Sequence, residues 1–297
     1  MHGWIIIDKP VGPGSTQVVS AVKRALRHGG YGKYKVGHGG TLDPLASGVL
    51  PVAVGEATKL AGRMLDASKT YDFTIRFGSQ TDTLDLEGKV IAESPVRPTR
   101  AAIENVLARF TGPIEQVPPA YSALKVDGER AYDLARKGEE VVLATRAVTI
   151  HDLQIVAADG DPLEDVTLTA YVSKGTYIRS LARDIALALG SVGHVTMLRR
   201  TKAGPFTLES AISLDKLAEM GQGRTLEETL LPLGVGLDDI PALSLDADQA
   251  GRLRQGLRLI GFAATDGLGF ATLDDVPVAL VETLAGETRV VRGFNLA

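Results

Sequence analysis

A glycine-rich segment near the N-terminus holds the best candidate for a catalytic side chain. Asp43 follows His38-Gly39-Gly40 at a short distance and directly precedes Pro44, after which an apolar run reaches Pro51. Glycines let the backbone approach a bulky ligand closely, and the proline restricts Asp43 to an extended conformation. The sequence therefore predicts a carboxylate at the edge of the core. Asp43 is either a catalytic group or a turn former, because Asp before Pro is common in turns.

Several enzyme classes lack their signatures in this sequence. Gly32-Lys33 is followed by Tyr34, so no phosphate-binding loop is completed, and there is no G-x-G-x-x-G, G-x-S-x-G or H-E-x-x-H. The absence of cysteine excludes thiolate nucleophiles. None of the five histidines lies four residues from another, which disfavours a histidine-rich metal site. We expect neither a metal nor an organic cofactor.

Further blocks accompany the segment around Asp43, and together they resemble the bacterial tRNA pseudouridine-55 synthases, the TruB family. The other blocks are Asp8 to Gly12, Lys69 to Tyr71, Gly78 to Asp85, Pro118 to Lys125, Gly175 to Leu181, and Leu198 to Thr201. They occur in order over residues 3–210, whereas the C-terminal part is only weakly similar to an RNA-binding β-barrel of the PUA kind. Pro13-Gly14-Ser15 departs from the serine-rich run expected after the Lys-Pro-x-Gly element.

The resemblance implies an isomerase that acts on one uridine of tRNA, at position 55 in the T-loop. The reaction detaches uracil from C1′ of the ribose, turns the base and rejoins it through C5, with no redox change. A carboxylate suits this chemistry, because it stabilises or traps a sugar centre with cationic character. Asp43 would attack C1′, attack the base or abstract a ribose proton, and these three alternatives stay open.

The resemblance also assigns roles to individual residues. Asp43 is the nucleophile, Arg179 holds its carboxylate ionised through a guanidinium fork, and Tyr71 stacks on the flipped uracil. Residue types alone favour a surface arginine on a helix and a core aromatic for the last two. Substrate-binding roles are implied for His38, Tyr177, Leu198 and Lys9.

These four roles differ in kind. Tyr177 would approach the base and Leu198 would form an apolar wall. His38 would fill the space left by extruded nucleotides. Lys9 would either touch a phosphate or cap a strand. On residue type alone, Leu198 is an ordinary core leucine and His38 is incidental.

Three other functions compete with this interpretation. A non-catalytic protein that binds or folds tRNA would keep the basic surface without needing Asp43. A synthase of the same superfamily would act on another RNA, or with a guide RNA. A glycoside hydrolase would need a second carboxylate about 5–10 Å from Asp43, for which Asp82 or Asp85 is available.

Periodic patterns predict the elements that position these residues. Alternating apolar residues predict strands over 4–8, 71–77 and 166–172, with another beginning near Lys89. Helical spacing predicts one helix after Ser15 or Thr16 that stops at Gly29, another over 103–110 and a third over 176–189. Residues 29–41 look like a mobile loop.

The predicted fold is α+β. We expect a pseudouridine-synthase-type mixed, largely antiparallel sheet with flanking helices, followed by a small PUA-like β-barrel. The predicted domains are a catalytic domain over 1–238 and an RNA-binding domain over 239–297. The active cleft is expected to cross the sheet.

The charge distribution favours an RNA partner although the net charge is −4. No acidic residue lies between Asp8 and Asp43, and Asp184 alone interrupts a second basic stretch from Lys174 to Lys202. These stretches are expected to contact the backbone of tRNA, through its T-arm, in a salt-sensitive manner. No apolar run reaches the roughly 18 residues of a membrane span, and no signal peptide is recognised. We therefore expect a cytoplasmic protein. The resemblance implies that it acts without a guide RNA, and we expect a monomer.

Overall fold

The structure, a computed structural model, describes residues 1–122, 125–126, 129–131, 143–262 and 264–296. Within these ranges a large mixed sheet carries helices and is followed by a smaller C-terminal sheet. The strands up to residue 232 are β1 (Gly3–Lys9), β2 (Val36–His38), β3 (Ala46–Val54), β4 (Lys69–Phe77), β5 (Ser79–Thr81), β6 (Val90–Glu93), β7 (Gly112–Gln116), β8 (Lys125–Val126), β9 (Glu129–Arg130), β10 (Arg146–Ala157), β11 (Asp165–Val172), β12 (Gly193–Ala203), β13 (Phe206–Thr207), β14 (Ala211–Ile212) and β15 (Leu231–Pro232).

Eleven strands of the described chain form the large sheet. Its main path runs β14-β1-β3-β12-β4-β11-β10-β7, with β2, β13 and β15 paired beside it. Only the β1–β14 and β3–β12 pairings within it are parallel. The predicted mixed, largely antiparallel sheet is confirmed. The short strands β5 with β6 and β8 with β9 form separate hairpins.

Helices pack on this sheet. They are α1 (Ser15–His28), α2 (Ala61–Asp66), α3 (Arg100–Leu107), α4 (Ile178–Ala188) and α5 (Leu214–Gly223), with short 3-10 helices at Gly55–Leu60, Ala108–Phe110, Leu208–Ser210, Leu226–Thr229 and Leu233–Leu237. The predicted helices over 103–110 and 176–189 correspond to α3 with its 3-10 extension and to α4. The latter begins at Ile178 because Tyr177 still has extended backbone.

Two apolar cores share one face of the large sheet. In one, α4 packs against β4 and β12; in the other, α1 packs against β2 and β3. Tyr71 is half-buried, and it packs against both cores. The two cores therefore meet at Tyr71 on β4, a strand near the middle of the sheet.

The C-terminal module is a five-stranded sheet with one helix. It contains β16 (Ala242–Ser244), α6 (Ala247–Arg254), β17 (Leu259–Ile260), β18 (Gly267–Leu273), β19 (Val276–Leu284) and β20 (Glu287–Gly293). Its strand order, β16-β18-β19-β20-β17, is open, so the PUA-like module is a curled half-barrel and not a closed barrel. Phe270 and Phe294 pack with Trp4 of the large sheet.

The prediction of a loop over residues 29–41 is partly wrong. Val36–His38 forms β2, which pairs with the end of β3 from Val52 to Val54. The glycine-rich composition of this segment did not predict a strand. The strand is stabilised by backbone pairing with the apolar strand β3, and local sequence patterns do not show such pairing.

Candidate active site

The backbone around Asp43 is anchored on both sides. The Ser15 hydroxyl accepts from the amide of Leu42 at 2.8 Å and donates to its carbonyl at 3.0 Å. On the other side, the Gly12 amide donates to the Pro44 carbonyl at 2.8 Å. The loop is therefore fixed to the start of α1.

The helix α1 was predicted to begin after Ser15 or Thr16, but it begins at Ser15. Gly14 is its N-cap, and the Gly14 amide donates to Gln17 Oε1 at 2.7 Å. The Ser15 hydroxyl is occupied by the Leu42 backbone, a long-range contact that no local pattern shows.

Lys9 is fully buried beneath the same loop. Its ammonium donates to the carbonyls of Pro10 at 2.9 Å, Pro13 at 2.8 Å and Pro44 at 3.3 Å. Burial lowers the pKa of Lys9 to about 8, although the charge of Asp43 opposes the shift. All three donors of the ammonium are used. This geometry supports a role in holding the loop and gives no support to a phosphate contact.

Arg179, in the first turn of α4, reaches Asp43. Its Nη2 donates to Asp43 Oδ2 at 3.0 Å and to the Tyr121 carbonyl at 3.0 Å, and its Nη1 donates to the Thr83 carbonyl at 2.9 Å. The arginine side chain is 8% exposed, whereas that of Asp43 is 47% exposed. The pair therefore presents an open carboxylate backed by a buried guanidinium.

A second carboxylate, Asp85, lies on the inner side of Arg179. Its Oδ2 is 3.4 Å from Arg179 Nη1, and its Oδ1 accepts from the Thr83 hydroxyl at 2.6 Å and the Glu87 amide at 3.0 Å. It is 7% exposed. Asp85 was considered only as the second acid of a glycoside hydrolase. Its carboxylate is instead committed to Arg179.

Asp82, the other acid considered for that role, is also engaged. Its Oδ1 accepts from the Lys89 amide at 2.9 Å, and its Oδ2 is 3.5 Å from the Tyr121 hydroxyl. The block from Pro118 to Lys125 supplies this part of the site, and its Ala123 and Leu124 lie outside the described residues.

A cavity of about 310 Å³ opens beside Asp43, large enough for a small ligand. Tyr71, Tyr177, Arg179 and Leu198 line it together with Asp43. The structure thus brings together five of the seven predicted site residues. Leu198 lies beside Phe73 in the sheet and, like Tyr71, contacts both cores, which explains its place in the cavity wall.

Tyr177 is fixed by a residue that the sequence did not indicate. The Gln116 side chain accepts from the Tyr177 amide at 2.8 Å and donates to the Tyr177 carbonyl at 3.1 Å. Burial raises the pKa of the Tyr177 phenol, so the hydroxyl stays protonated at neutral pH. Gln116 is 1% exposed at the end of β7. No local pattern in the sequence signals this role, because the contact joins residues 61 positions apart.

His38 does not line the cavity. It ends β2, opposite Val52, and its Nδ1 is buried with no partner among the described residues. Burial, and then the charge of Arg200, lower the pKa of His38, so the ring is neutral at pH 7.

Two basic side chains, Lys69 and Arg200, also line the cavity. Lys69 donates to the carbonyls of Met64, Leu65 and Ala67 at 2.6–2.8 Å, and burial lowers its pKa to about 8. Arg200 is 1% exposed and donates to the carbonyls of Val49 at 2.7 Å and Gly40 at 3.1 Å.

The second basic stretch is mostly neutralised by acids that are distant in sequence. Arg199 pairs with Asp8 at 2.8 Å, and Lys174 pairs with Asp66 at 2.9 Å. Most basic side chains from Lys174 to Lys202 are therefore paired within the chain, which the order of residues in the sequence did not show. Lys202 remains exposed.

The first basic stretch differs. Its five exposed members have no carboxylate within 4 Å among the described residues; they are Lys23, Arg24, Arg27, Lys33 and Lys35. Lys23, Arg24 and Arg27 lie on the outer side of α1, whose inner side is buried. This positive surface begins at the helix that anchors the Asp43 loop.

Metal-binding side chains do not converge in groups of three or more within the described residues. No helix in the described ranges is long and apolar enough to cross a membrane.

Comparison with known proteins identifies this arrangement. Residues 27–178 match the family model for the N-terminal domain of TruB family pseudouridylate synthases, and residues 179–238 match the tRNA pseudouridylate synthase B C-terminal domain. The chain belongs to the TruB family. The expectation drawn from the sequence blocks is confirmed.

Curated relatives of this TruB family chain match over the full length. A tRNA pseudouridine synthase B of Novosphingobium aromaticivorans is 65% identical, over 100% of this chain and 98% of that protein. One from Zymomonas mobilis is 59% identical, over 99% and 96%.

Solved structures share the fold. A chain from an H/ACA RNP bound to a substrate RNA containing 2′-deoxyuridine has a TM-score of 0.74 at 26% identity, covering 99% of this chain and 85% of that chain. One from an archaeal box H/ACA sRNP complex has a TM-score of 0.73 at 25% identity, covering 99% and 86%. These likenesses confirm the predicted pseudouridine-synthase fold.

Proposed function

We propose that this protein isomerises uridine 55, in the T-loop of tRNA, to pseudouridine, with Asp43 as the nucleophile. The observation that carries the proposal is the Asp43–Arg179 pair at the wall of a cavity lined by Tyr71, Tyr177 and Leu198, in a chain of the TruB family. The curated relatives are named tRNA pseudouridine synthases, which supports tRNA as the substrate.

The cavity suits a base that has left its stack. Tyr71 offers an aromatic face and Leu198 an apolar one. Stacking on an aromatic ring contributes about 1–3 kcal/mol per base, which offsets a flipping cost of a few kcal/mol. We assign stacking on uracil to Tyr71 and closure of the pocket to Leu198.

Asp43 and Arg179 divide the chemical work. The half-exposed carboxylate faces the substrate, while the buried guanidinium donates a hydrogen bond to it and fixes its orientation. The bond from C1′ to N1 breaks, and the bond from C1′ to C5 forms. The proton of C5 is released to solvent, and N1 takes up a proton in its place, so the product is an isomer of uridine. The Tyr177 hydroxyl, kept protonated by burial, donates a hydrogen bond near the base.

Binding involves surfaces outside the cavity. We assign tRNA backbone contacts to the unpaired basic residues of α1 and the following loop. His38 adjoins the glycines of the Asp43 loop, and we propose that it fills space left by extruded nucleotides. We further propose two domains, 1–238 for catalysis and 239–297 for additional RNA binding. Lys9 holds the Asp43 loop in this account.

We propose that the protein acts without a guide RNA, as a monomer, in the cytoplasm. Its full-length likeness to proteins named tRNA pseudouridine synthase B supports tRNA as the substrate. The H/ACA structures share only about a quarter of their residues with this chain.

The test uses unmodified tRNA labelled with tritium at uridine C5. The purified protein alone should release tritium, since C5 loses its hydrogen in the reaction. A tRNA with cytidine in place of uridine 55 should release none. Release of tritium from both tRNAs would show that the modified uridine is not uridine 55. Binding without release from either would favour a tRNA-binding or tRNA-folding protein.

A further inference from the structure

Arg146 carries a buried polar atom without a hydrogen-bond partner. Among the described residues such atoms are Nε of Arg146, Nε of Arg63, Nδ1 of His38 and Oγ of Ser122. A buried donor that is left unsatisfied is destabilising, so a ligand that satisfies it gains that contact. Of these four residues, Arg146 is the one whose positive charge lies beside Tyr177 of the cavity wall.

Arg146 lies against the wall of the cavity. Its guanidinium carbon is 5.5 Å from the centre of the Tyr177 ring, a cation–π geometry. Its Nη1 donates one long hydrogen bond, 3.4 Å, to the Gly175 carbonyl. No carboxylate lies within 4 Å of it in the described part of the chain. Most of the five donors of this guanidinium are thus unused.

The position of Arg146 is nevertheless well fixed. It begins β10, where it is the register partner of Gln116 on β7. Gln116 in turn clamps the Tyr177 backbone with two hydrogen bonds. Arg146 therefore has a fixed backbone position and a half-buried guanidinium with no carboxylate within 4 Å among the described residues, so it is available to an anion from outside the chain.

RNA supplies such an anion at this place. A base flips by rotating about its own backbone, so the phosphates next to the flipped nucleotide stay at the mouth of the pocket. Tyr177 and Gly175 both line that pocket, and Arg146 contacts both. The planar fork of arginine binds phosphate oxygens in pairs.

We infer that Arg146 binds one of the two phosphates that flank the flipped uridine, while its cation–π contact keeps the Tyr177 ring in place. This rests on the proposed function, because it presupposes a flipped nucleotide in the cavity. Arg146 contacts the substrate but takes no part in bond making or breaking.

The test removes the charge of Arg146 and, separately, the charge of each phosphate that flanks uridine 55. Wild-type protein, Arg146→Ala and Arg146→Lys are titrated with three tRNAs: unmodified, and with an uncharged methylphosphonate on the 5′ or the 3′ side of uridine 55. We expect Arg146→Ala to weaken binding of unmodified tRNA about 10-fold, as for removal of a charge-assisted hydrogen bond. One methylphosphonate should weaken wild-type binding similarly and leave Arg146→Ala unaffected.

Salt dependence separates phosphate binding from mere support of Tyr177. Arg146→Ala should lower the slope of log Kd against log salt by about 0.7, the value for one phosphate, and Arg146→Lys should restore the slope with weaker affinity. Arg76→Ala, which removes an exposed arginine paired with Asp165, is the matched control and should bind normally.

Two results would overturn the inference. In the first, neither methylphosphonate weakens wild-type binding, a result that does not depend on how the variants fold. In the second, the effects of Arg146→Ala and of each methylphosphonate on binding simply add. Isomerisation is measured on the same wild-type samples. Wild type that binds but releases no C5 tritium would refute the proposed function and leave the binding comparison valid.

Discussion

Arg179 lies between two carboxylates, with Nη2 3.0 Å from Asp43 Oδ2 and Nη1 3.4 Å from Asp85 Oδ2. The two acids differ in exposure, 47% for the side chain of Asp43 against 11% for that of Asp85. The buried guanidinium of Arg179 therefore links the exposed carboxylate of Asp43 to the buried carboxylate of Asp85. The orientation of Asp43 depends on contacts that lie behind it.

Asp85→Asn should slow isomerisation while leaving tRNA affinity unchanged. The amide keeps the shape but removes the charge that holds Arg179, and a charge-assisted hydrogen bond of about 1.5–3 kcal/mol corresponds to roughly 10–100-fold in kcat. Single-turnover tritium release gives the rate, and filter binding gives the affinity. Asp82→Asn is the control, because Asp82 lies in the same turn but is not paired with Arg179. Its rate of isomerisation should fall much less. Equal rates in the two variants would contradict this role of Asp85.

Arg179→Met should destabilise the fold by about 3–5 kcal/mol, because it leaves buried Asp85 without its partner. Urea denaturation measures the free energy of unfolding. Adding Asp85→Asn to Arg179→Met should recover part of this stability, since the stranded charge is removed. Strict additivity of the two changes would show that the residues are energetically independent.

The sequence predicted the parts of this site that local patterns encode. Alternating residues placed Tyr71 on a strand, and the glycine-rich block identified the Asp43 loop. Contacts between distant segments were not predictable in this way. Asp8 neutralises Arg199, and Gln116 clamps Tyr177 from 61 positions away. Only the folded chain shows that most of the second basic stretch is paired and that Lys9 is buried.

The outer surface of α1 should contribute to tRNA binding. Lys23→Glu with Arg27→Glu should weaken binding and lower the salt slope by about 0.7–0.9 for each phosphate that is no longer neutralised, with little change in kcat at saturating tRNA. Arg109→Glu, which reverses an exposed charge on the 3-10 helix after α3, is the control. The same weakening in Arg109→Glu would indicate only a general charge effect.

Lys69 should make stability depend on alkaline pH. Burial lowers its folded-state pKa to about 8, below the ordinary value of 10.5. Between these values the unfolded chain binds more protons than the folded one, so the free energy of unfolding should rise with pH across this window. The penalty for a buried charge is fully present below pH 8.

Denaturation at pH 7.5, 8.5 and 9.5 checks this sign. The wild type should gain stability over this range relative to Lys69→Met, which has no titrating group at that position. Lys9→Met provides a second comparison, because the pKa of Lys9 is also lowered to about 8. An identical pH dependence in the wild type and Lys69→Met would contradict the lowered pKa of Lys69.

The substitution Asp43→Asn tests whether Asp43 is the catalytic nucleophile. Tritium release from C5-labelled tRNA is compared with the wild type under single-turnover conditions, and tRNA binding is measured in parallel. We predict that the variant binds tRNA with wild-type affinity and releases no tritium. Release at a rate near that of the wild type would contradict the assignment.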